Sequence, residues 1–286
     1  MIINPKEIPL PKLVSYLQGT VAPRPIALVS SVDQQGNVNL SPFSFFNLFS
    51  LNPPILVFSP SRRARNNTTK HTLENVLEVP EVVINMIHYD MVQQVSLASC
   101  DFPKGVNEFI KAGLTEVKST VVKPPCVGES HVSFECKVNQ VIPLGNEGGA
   151  GNLVICEVQL IHINDSILDS EGRIDPQLLN AVARMGNDYY SRASGDAIFT
   201  VPKPNEKVGL GIDALPTEIR TSKILSGNDL GMLGNSEKLP SAEAIVQFKS
   251  EHPQFTNLSE EASHQQAKQF LQSGDVEKAW LVLMRN

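Results

Sequence analysis

Between Ile26 and about Ile163 the apolar residues come in short runs, separated by polar and glycine-containing segments. The clearest alternation runs through Val132, Phe134, Cys136 and Val138, with Ser133, Glu135 and Lys137 between them. A period of two places the first set on one face of a half-buried strand. After the loop Gly145-Asn146-Glu147-Gly148-Gly149-Ala150-Gly151 the pattern returns over residues 153–163. There Val154, Cys156, Val158 and Leu160 share a face and His162 is in phase with them. Residues 26–32 and 38–46 flank Asp33-Gln34-Gln35-Gly36-Asn37, a loop suited to a hairpin. Residues 54–59 and 82–87 predict two more strands, and helical insertions are expected around 72–77 and over 91–99. Regular short strands with polar turns predict a mainly β fold, a closed or partly closed antiparallel barrel.

After Pro204 the periodicity changes. Residues 241–249, 259–272 and 275–284 predict helices, the last with Val276, Ala279 and Leu283 at helical spacing. The expected organisation is therefore a barrel over 1–204 and a C-terminal helical extension over 205–286. No internal repeat or low-complexity tract interrupts either part.

Composition narrows the function. A chain of 286 residues with 41% hydrophobic and 19% charged positions can bury a sizeable core. The net charge of −6 argues against a dedicated nucleic-acid binder, while leaving room for a local basic cluster around a small anion. Cys100, Cys126, Cys136 and Cys156 form no C-x-x-C pair, which fits reduced thiols better than a disulfide scaffold or a zinc site. The amino-terminal residues lack a signal-peptide core and no later run is long enough to span a membrane, so a cytoplasmic, membrane-free location is expected.

Two segments carry candidate chemistry. In Ser59-Pro60-Ser61-Arg62-Arg63-Ala64-Arg65, followed by Lys70, Thr72 and Asn75, a strand end leads through hydroxyls and guanidiniums to a helix start. Forked N–H groups and free helix amides are the donors a phosphate requires. On composition alone, a solvated basic loop is the commoner outcome for such a run. In residues 39–47, Phe43, Phe45 and Phe46 sit among small polar residues and could line an aromatic-sized pocket. On the residues alone, a core strand with two inward phenylalanines is the better reading. Residues 209–214 fit G-x-G-x-x-A, but no strand precedes them and Pro216 stands where the helix should begin, so the dinucleotide fingerprint fails its context. No G-x-S-x-G, no H-E-x-x-H and no recognisable catalytic cysteine is present, and His71, His88 and His131 show no metal-ligand spacing.

Several blocks, in order, resemble the flavin reductase-like family. They are Ala22-Pro23-Arg24-Pro25-Ile26-Ala27-Leu28-Val29-Ser30-Ser31, residues 39–47, Asn52-Pro53-Pro54, residues 62–72, Phe102-Pro103-Lys104-Gly105-Val106-Asn107-Glu108-Phe109, residues 157–168, and Arg184-Met185-Gly186 with Tyr190. The resemblance covers roughly residues 15–200. It implies an FMN-binding split β-barrel that dimerises and holds FMN at or near the dimer interface. Ser44, Phe45, Phe46 and Asn47 resemble the segment along the isoalloxazine. Ser59, Arg63, Lys70 and Thr72 resemble the group around the flavin phosphate, with Arg62 an alternative to Arg63. Tyr190 and His162 resemble positions on the flavin or nicotinamide side. His71 stands where many relatives carry an acidic residue, and Asn187 where a second glycine is common. The implied activity is FMN-dependent oxidoreduction with NAD(P)H as donor. The acceptor could be free flavin, a partner monooxygenase, a metal complex or an organic substrate. A flavin-storage protein and a barrel that has lost FMN are the alternatives. Hydride chemistry of this kind needs no protein nucleophile, which agrees with the absence of one.

Overall fold

The computed structural model describes residues 1–202, 204 and 207–284. The chain separates into two compact units, Met1–Phe199 and Thr200–Asn286. The boundary expected between 204 and 205 involves Asn205, which lies outside the described residues.

In the first unit the strands are β1 (Arg24–Pro25), β2 (Ala27–Val32), β3 (Val38–Phe43), β4 (Phe46–Leu51), β5 (Pro54–Phe58), β6 (Glu81–Met86), β7 (Glu116–Val117), β8 (Cys126–Val127), β9 (Val132–Pro143), β10 (Asn152–Ile163), β11 (Val182–Arg184) and β12 (Tyr190–Arg192). Its helices are α1 (Leu10–Thr20), α2 (His71–Glu78), α3 (Val92–Ala98), α4 (Glu108–Ala112) and α5 (Pro176–Leu179). Seven strands form one antiparallel sheet in the order β3-β2-β6-β9-β10-β5-β4. The two outermost strands, β3 and β4, are consecutive in the chain with only Ser44 and Phe45 between them. Two residues cannot cross the breadth of a flat sheet, so the sheet must curl until its edges meet. The result is a split β-barrel.

The run expected as one strand over 38–46 is therefore two strands, broken where the chain leaves one edge of the sheet for the other. Inside the curl, Phe43 and Phe58 pack with ring centroids 5.2 Å apart, among Val29, Ile84, Cys136 and Cys156. Leu73 and Val76 of α2 join this core. On the other side of the sheet Leu28 and Leu40 pack against α3 and α4 through Val95, Ala98, Phe109 and Ala112. Strand β2 is buried on both faces, which is why residues 27–32 show no clean alternation. Strands β1, β11 and β12 form a separate three-stranded sheet. The amphipathic helix α1 was not expected from the pattern, and none of its residues is buried.

The second unit holds α6 (Thr217–Arg220), α7 (Gly227–Gly234), α8 (Ala242–Glu251), α9 (Glu260–Gln272) and α10 (Val276–Leu283). The last three match the helices expected from periodicity. Each begins at a residue suited to the role: Ser241, Ser259 and Asp275 accept hydrogen bonds from the amides of Ala244, Ala262 and Lys278. Leu233, Leu271, Ala279 and Trp280 form the centre of this unit's core, and Trp280 Nε1 donates to Ser236 Oγ at 2.9 Å. Residues 209–214 lead into a single 3-10 turn at Ile212–Ala214, not into a nucleotide-binding helix.

Candidate functional site at the barrel split

The point where the sheet edges meet opens into a cavity of about 330 Å3. Ser44, Phe45, Phe46, Asn47 and Ser59 all line it, with Arg24. Strand pairing explains the convergence, since Phe46 lies opposite Phe58 on β5 and the amide of Ser59 donates to the carbonyl of Phe45 at 2.8 Å. The Ser59 hydroxyl accepts from the Asn152 amide at 3.0 Å. A second, mostly apolar cavity of about 810 Å3 shares Pro23, Pro25, Phe46 and Asn47 with the first.

Arg24 was not singled out as a site residue, although it sits between two prolines in an apolar stretch. It is buried, and Nη1 donates to the carbonyls of Gln18 (2.7 Å) and Val21, Nη2 to that of Met185 (3.1 Å). Its Nε has no hydrogen-bond partner among the described residues. The guanidinium carbon stands 6.0 Å from the Phe45 ring centroid. Burial, then the neighbouring Arg184, lower its pKa.

The basic loop beyond Ser59 divides its cations unequally. Arg62 is turned onto Asn67, donating to its side-chain and backbone oxygens at 2.6 Å each. Arg63 donates to Asp101 Oδ1 (2.8 Å), Thr68 Oγ1 (3.1 Å) and the Thr69 carbonyl, and Arg65 pairs with the other oxygen of Asp101. Asp101, thirty-odd positions downstream, has no local signal in the sequence that would assign it to this loop. Lys70 is half-buried and, among the described residues, its side chain makes no hydrogen bond or ion pair. Burial, together with Arg63 and Arg65, lowers its pKa against the opposing pull of Asp101. No side chain caps α2, which starts immediately after Lys70, so the helix amino end is open to an anion. Thr72 is buried in the first turn, its Oγ1 accepting from Asn39 Nδ2 at 2.9 Å.

The glycine-rich loop before β10 supports this basic loop. The Arg62 amide donates to the Ala150 carbonyl (2.8 Å) and the Gly149 amide to the Arg62 carbonyl (3.0 Å). A Cβ on Gly148 would lie 2.9 Å from the Ala64 carbonyl oxygen, and one on Gly151 would lie 2.6 Å from Ser59 Oγ. Close approach of backbone requires glycine at Gly148, whereas at Gly151 it is the Ser59 side chain that would have to shift.

His162 and Tyr190 lie elsewhere. A β-bulge between Val158 and Leu160 adds Gln159 to β10, and the register changes from Val158 opposite Cys136 to Ile161 opposite Phe134 and His162 opposite Ser133. The expectation that Leu160 and His162 continue the face of Val154, Cys156 and Val158 is corrected accordingly: Ile161 takes that face, and Leu160 and His162 turn to the other. There His162 Nε2 lies 2.6 Å from Oε1 of the fully buried Glu135. Glu135 also accepts from the amides of Thr120 (2.7 Å), Val121 (2.6 Å) and Val122 (3.1 Å). Burial pushes this carboxyl up, but these amides and His162 together hold it below the usual carboxylate range. Cys126 joins Glu135 and His162 in a cluster with ligand atoms within 4.8 Å, yet the amides already occupy the carboxylate. Tyr190 lines a separate cleft beside Arg184, whose guanidinium covers its ring. Asn187 adopts φ 51, the left-handed conformation that a glycine takes most readily and asparagine tolerates. Burial pushes the Cys136 thiol up to about 12 and Cys156 well above its ordinary value, so neither is an accessible nucleophile.

The sequence model of the flavin reductase like domain matches residues 20–183, within the barrel unit. An uncharacterized protein of Aquifex aeolicus is 38% identical over 184 residues, covering 64% of this chain and 91% of its own length. Among solved structures, nitrilotriacetate monooxygenase component B from Bacillus cereus superposes with a TM-score of 0.65 at 30% identity, covering 70% of this chain and 98% of that one. A Shewanella frigidimarina protein assigned as a flavin reductase with a split barrel domain gives a TM-score of 0.60 at 25% identity, with coverages of 71% and 99%. No helix among the described residues is long and apolar enough to cross a membrane.

Proposed function

The chain belongs to the flavin reductase-like family, and from that premise we propose that it is an FMN-dependent oxidoreductase drawing hydride from NAD(P)H. The observation that carries the reading is Lys70: a half-buried ammonium without a hydrogen-bond or ion-pair partner among the described residues, flanked by Arg63 and Arg65 at the open end of α2. Such a set fits a phosphate monoester, which would meet an ammonium and helix amides beside the positive charge of Arg63 and Arg65. FMN, when bound, supplies the two-electron chemistry of hydride acceptance, so the chain need only bind, orient and exclude water.

Ser44, Phe45, Phe46 and Asn47 line the cavity in which the ring system is proposed to sit, and Ser59 and Arg24 border the same space. Thr72 is proposed as a phosphate donor, because its hydroxyl accepts from Asn39 and keeps its own proton to give. Arg63 holds the loop through Asp101 and presents its charge beside Lys70, whereas Arg62 serves the loop through Asn67. His162, engaged with Glu135 on the other face of β10, is left out of the proposed flavin contacts. The second cavity and the exposed apolar side chains of β4 support a homodimer, with FMN near the interface. Likeness to a monooxygenase component supports a partner monooxygenase as one recipient of the electrons.

The decisive measurement is the visible spectrum of the purified protein followed by anaerobic titration with NADH and NADPH. A flavin absorption band that bleaches with one or both nicotinamides is expected. Full flavin occupancy with no bleaching by either would defeat the enzyme reading and leave a flavin-storage protein.

A further inference from the structure

A cleft of about 530 Å3 between α3 and the β11–β12 hairpin carries chemistry that the proposed ring site does not use. Arg184 and Arg192 both line it. The Arg184 guanidinium lies over the Tyr190 ring, 4.6 Å from its centroid, and that of Arg192 over Tyr89 at 3.9 Å. Stacking holds each planar fork in place while leaving its N–H edges to donate. Few of those donors are used within the chain: Arg184 Nη1 gives one to the Tyr189 carbonyl (3.2 Å), and Arg192 Nε gives one to Asn180 Oδ1 (2.7 Å). Among the described residues neither guanidinium forms an ion pair, and Asp188, the carboxylate lining the cleft, pairs with neither. Ser96 and Ser99 of α3 add hydroxyls to the same wall. Two oriented forks, neither in an ion pair among the described residues, and the Ser96 hydroxyl form a seat for a phosphate in a cleft that the Asp188 carboxylate also lines.

The cleft is also placed for a long ligand. Val182, Ser191 and Arg192 line both it and the 810 Å3 cavity, which in turn shares Pro23, Pro25, Phe46 and Asn47 with the cavity at the split. A dinucleotide carries its phosphates at a distance from its reactive ring, and cavities that share lining residues in this succession offer room for both ends. We propose that Arg184 and Arg192 seat a phosphate of the dinucleotide that delivers hydride to the flavin. The identity of the ligand's other end rests on the oxidoreductase reading; the phosphate seat itself does not.

Calorimetric titration of the full-length, FMN-loaded protein with adenosine 2′,5′-bisphosphate, ADP and adenosine tests the seat without any hydride transfer. Both phosphate compounds, or one, should bind at least tenfold more tightly than adenosine. The variant Arg184→Gln/Arg192→Gln should lose that tenfold preference while the flavin band and FMN affinity stay unchanged. A loss confined to the 2′,5′-bisphosphate assigns the ribose phosphate to the seat, and an equal loss for both compounds assigns the diphosphate. Ser96→Glu, on the exposed face of α3, should weaken the same ligands to a similar degree without touching either arginine. No preference for phosphate in the unmodified protein, or unchanged phosphate binding in both variants, overturns the proposal. A protein that binds these compounds but is not reduced by NADH or NADPH would refute the proposed function and leave the seat standing.

Discussion

Lys70 is the residue on which the phosphate assignment turns, because its neighbours Arg62, Arg63 and Arg65 are already engaged. A charged hydrogen bond contributes about 1.5–3 kcal/mol, or roughly ten- to a hundredfold in affinity. Lys70→Ala should therefore weaken FMN by about that factor, and riboflavin, which lacks the phosphate, hardly at all; flavin fluorescence quenching measures both. Equal losses would make the loop structural. The pKa of Lys70 lies below its ordinary value, so FMN affinity should fall as alkaline pH rises through that lowered value, and Lys70→Met should flatten the profile. Glu135 makes the opposite contribution. Its folded pKa is depressed, so its stabilising share is present above the ordinary carboxylate value and lost as pH falls through the folded one. Glu135→Gln should cost about 2 kcal/mol at neutral pH, with the gap to the unmodified protein narrowing in acid, as read by denaturant unfolding at several pH values. Which side chains had such roles was only partly legible from the chain. The basic loop announced itself by composition, whereas Asp101 meets Arg63 and Arg65, and Arg24 meets Met185, across long stretches of sequence.

At the scale of elements, the turn chemistry before β10 shapes the binding loop more than the loop's own residues do. Gly148 touches the Ala64 backbone, which cannot swing aside as a side chain would. Gly148→Ala should shift residues 62–65 and weaken FMN about tenfold, a change worth about 1.4 kcal/mol, while the far-ultraviolet circular dichroism stays native. An unchanged FMN affinity would show that the two loops do not move together. The strands over residues 132–138 and the first half of β10 were legible because a period of two is a local property, although Ser133 and Glu135, on the face expected to be open, are buried. The bulge at Gln159 was not. Inserting one residue reverses every later side chain on β10 and carries His162 to Glu135, and no residue type in the sequence signals it.

For the whole molecule, the order β3-β2-β6-β9-β10-β5-β4 leaves β4 as an edge with apolar side chains outward, Phe49 at 68% and Leu51 at 80% exposure. An exposed apolar edge of this kind invites a partner. Phe49→Lys/Leu51→Lys should convert the proposed dimer to a monomer in sedimentation equilibrium; a monomeric unmodified protein would remove the dimer from the functional reading. By itself, the sequence determined the short strands of the barrel, the later helices, and a basic, hydroxyl-rich segment over residues 59–72. Each depends on periodicity or on neighbours a few positions away. The tertiary structure decided that Ser44, Phe45, Phe46, Asn47 and Ser59 line one cavity, that Lys70 is the loop cation left without a partner among the described residues, and that His162 faces away from Val158. Those outcomes depend on the curl of the sheet and on the register between distant strands, and neither is written in any local stretch of the chain.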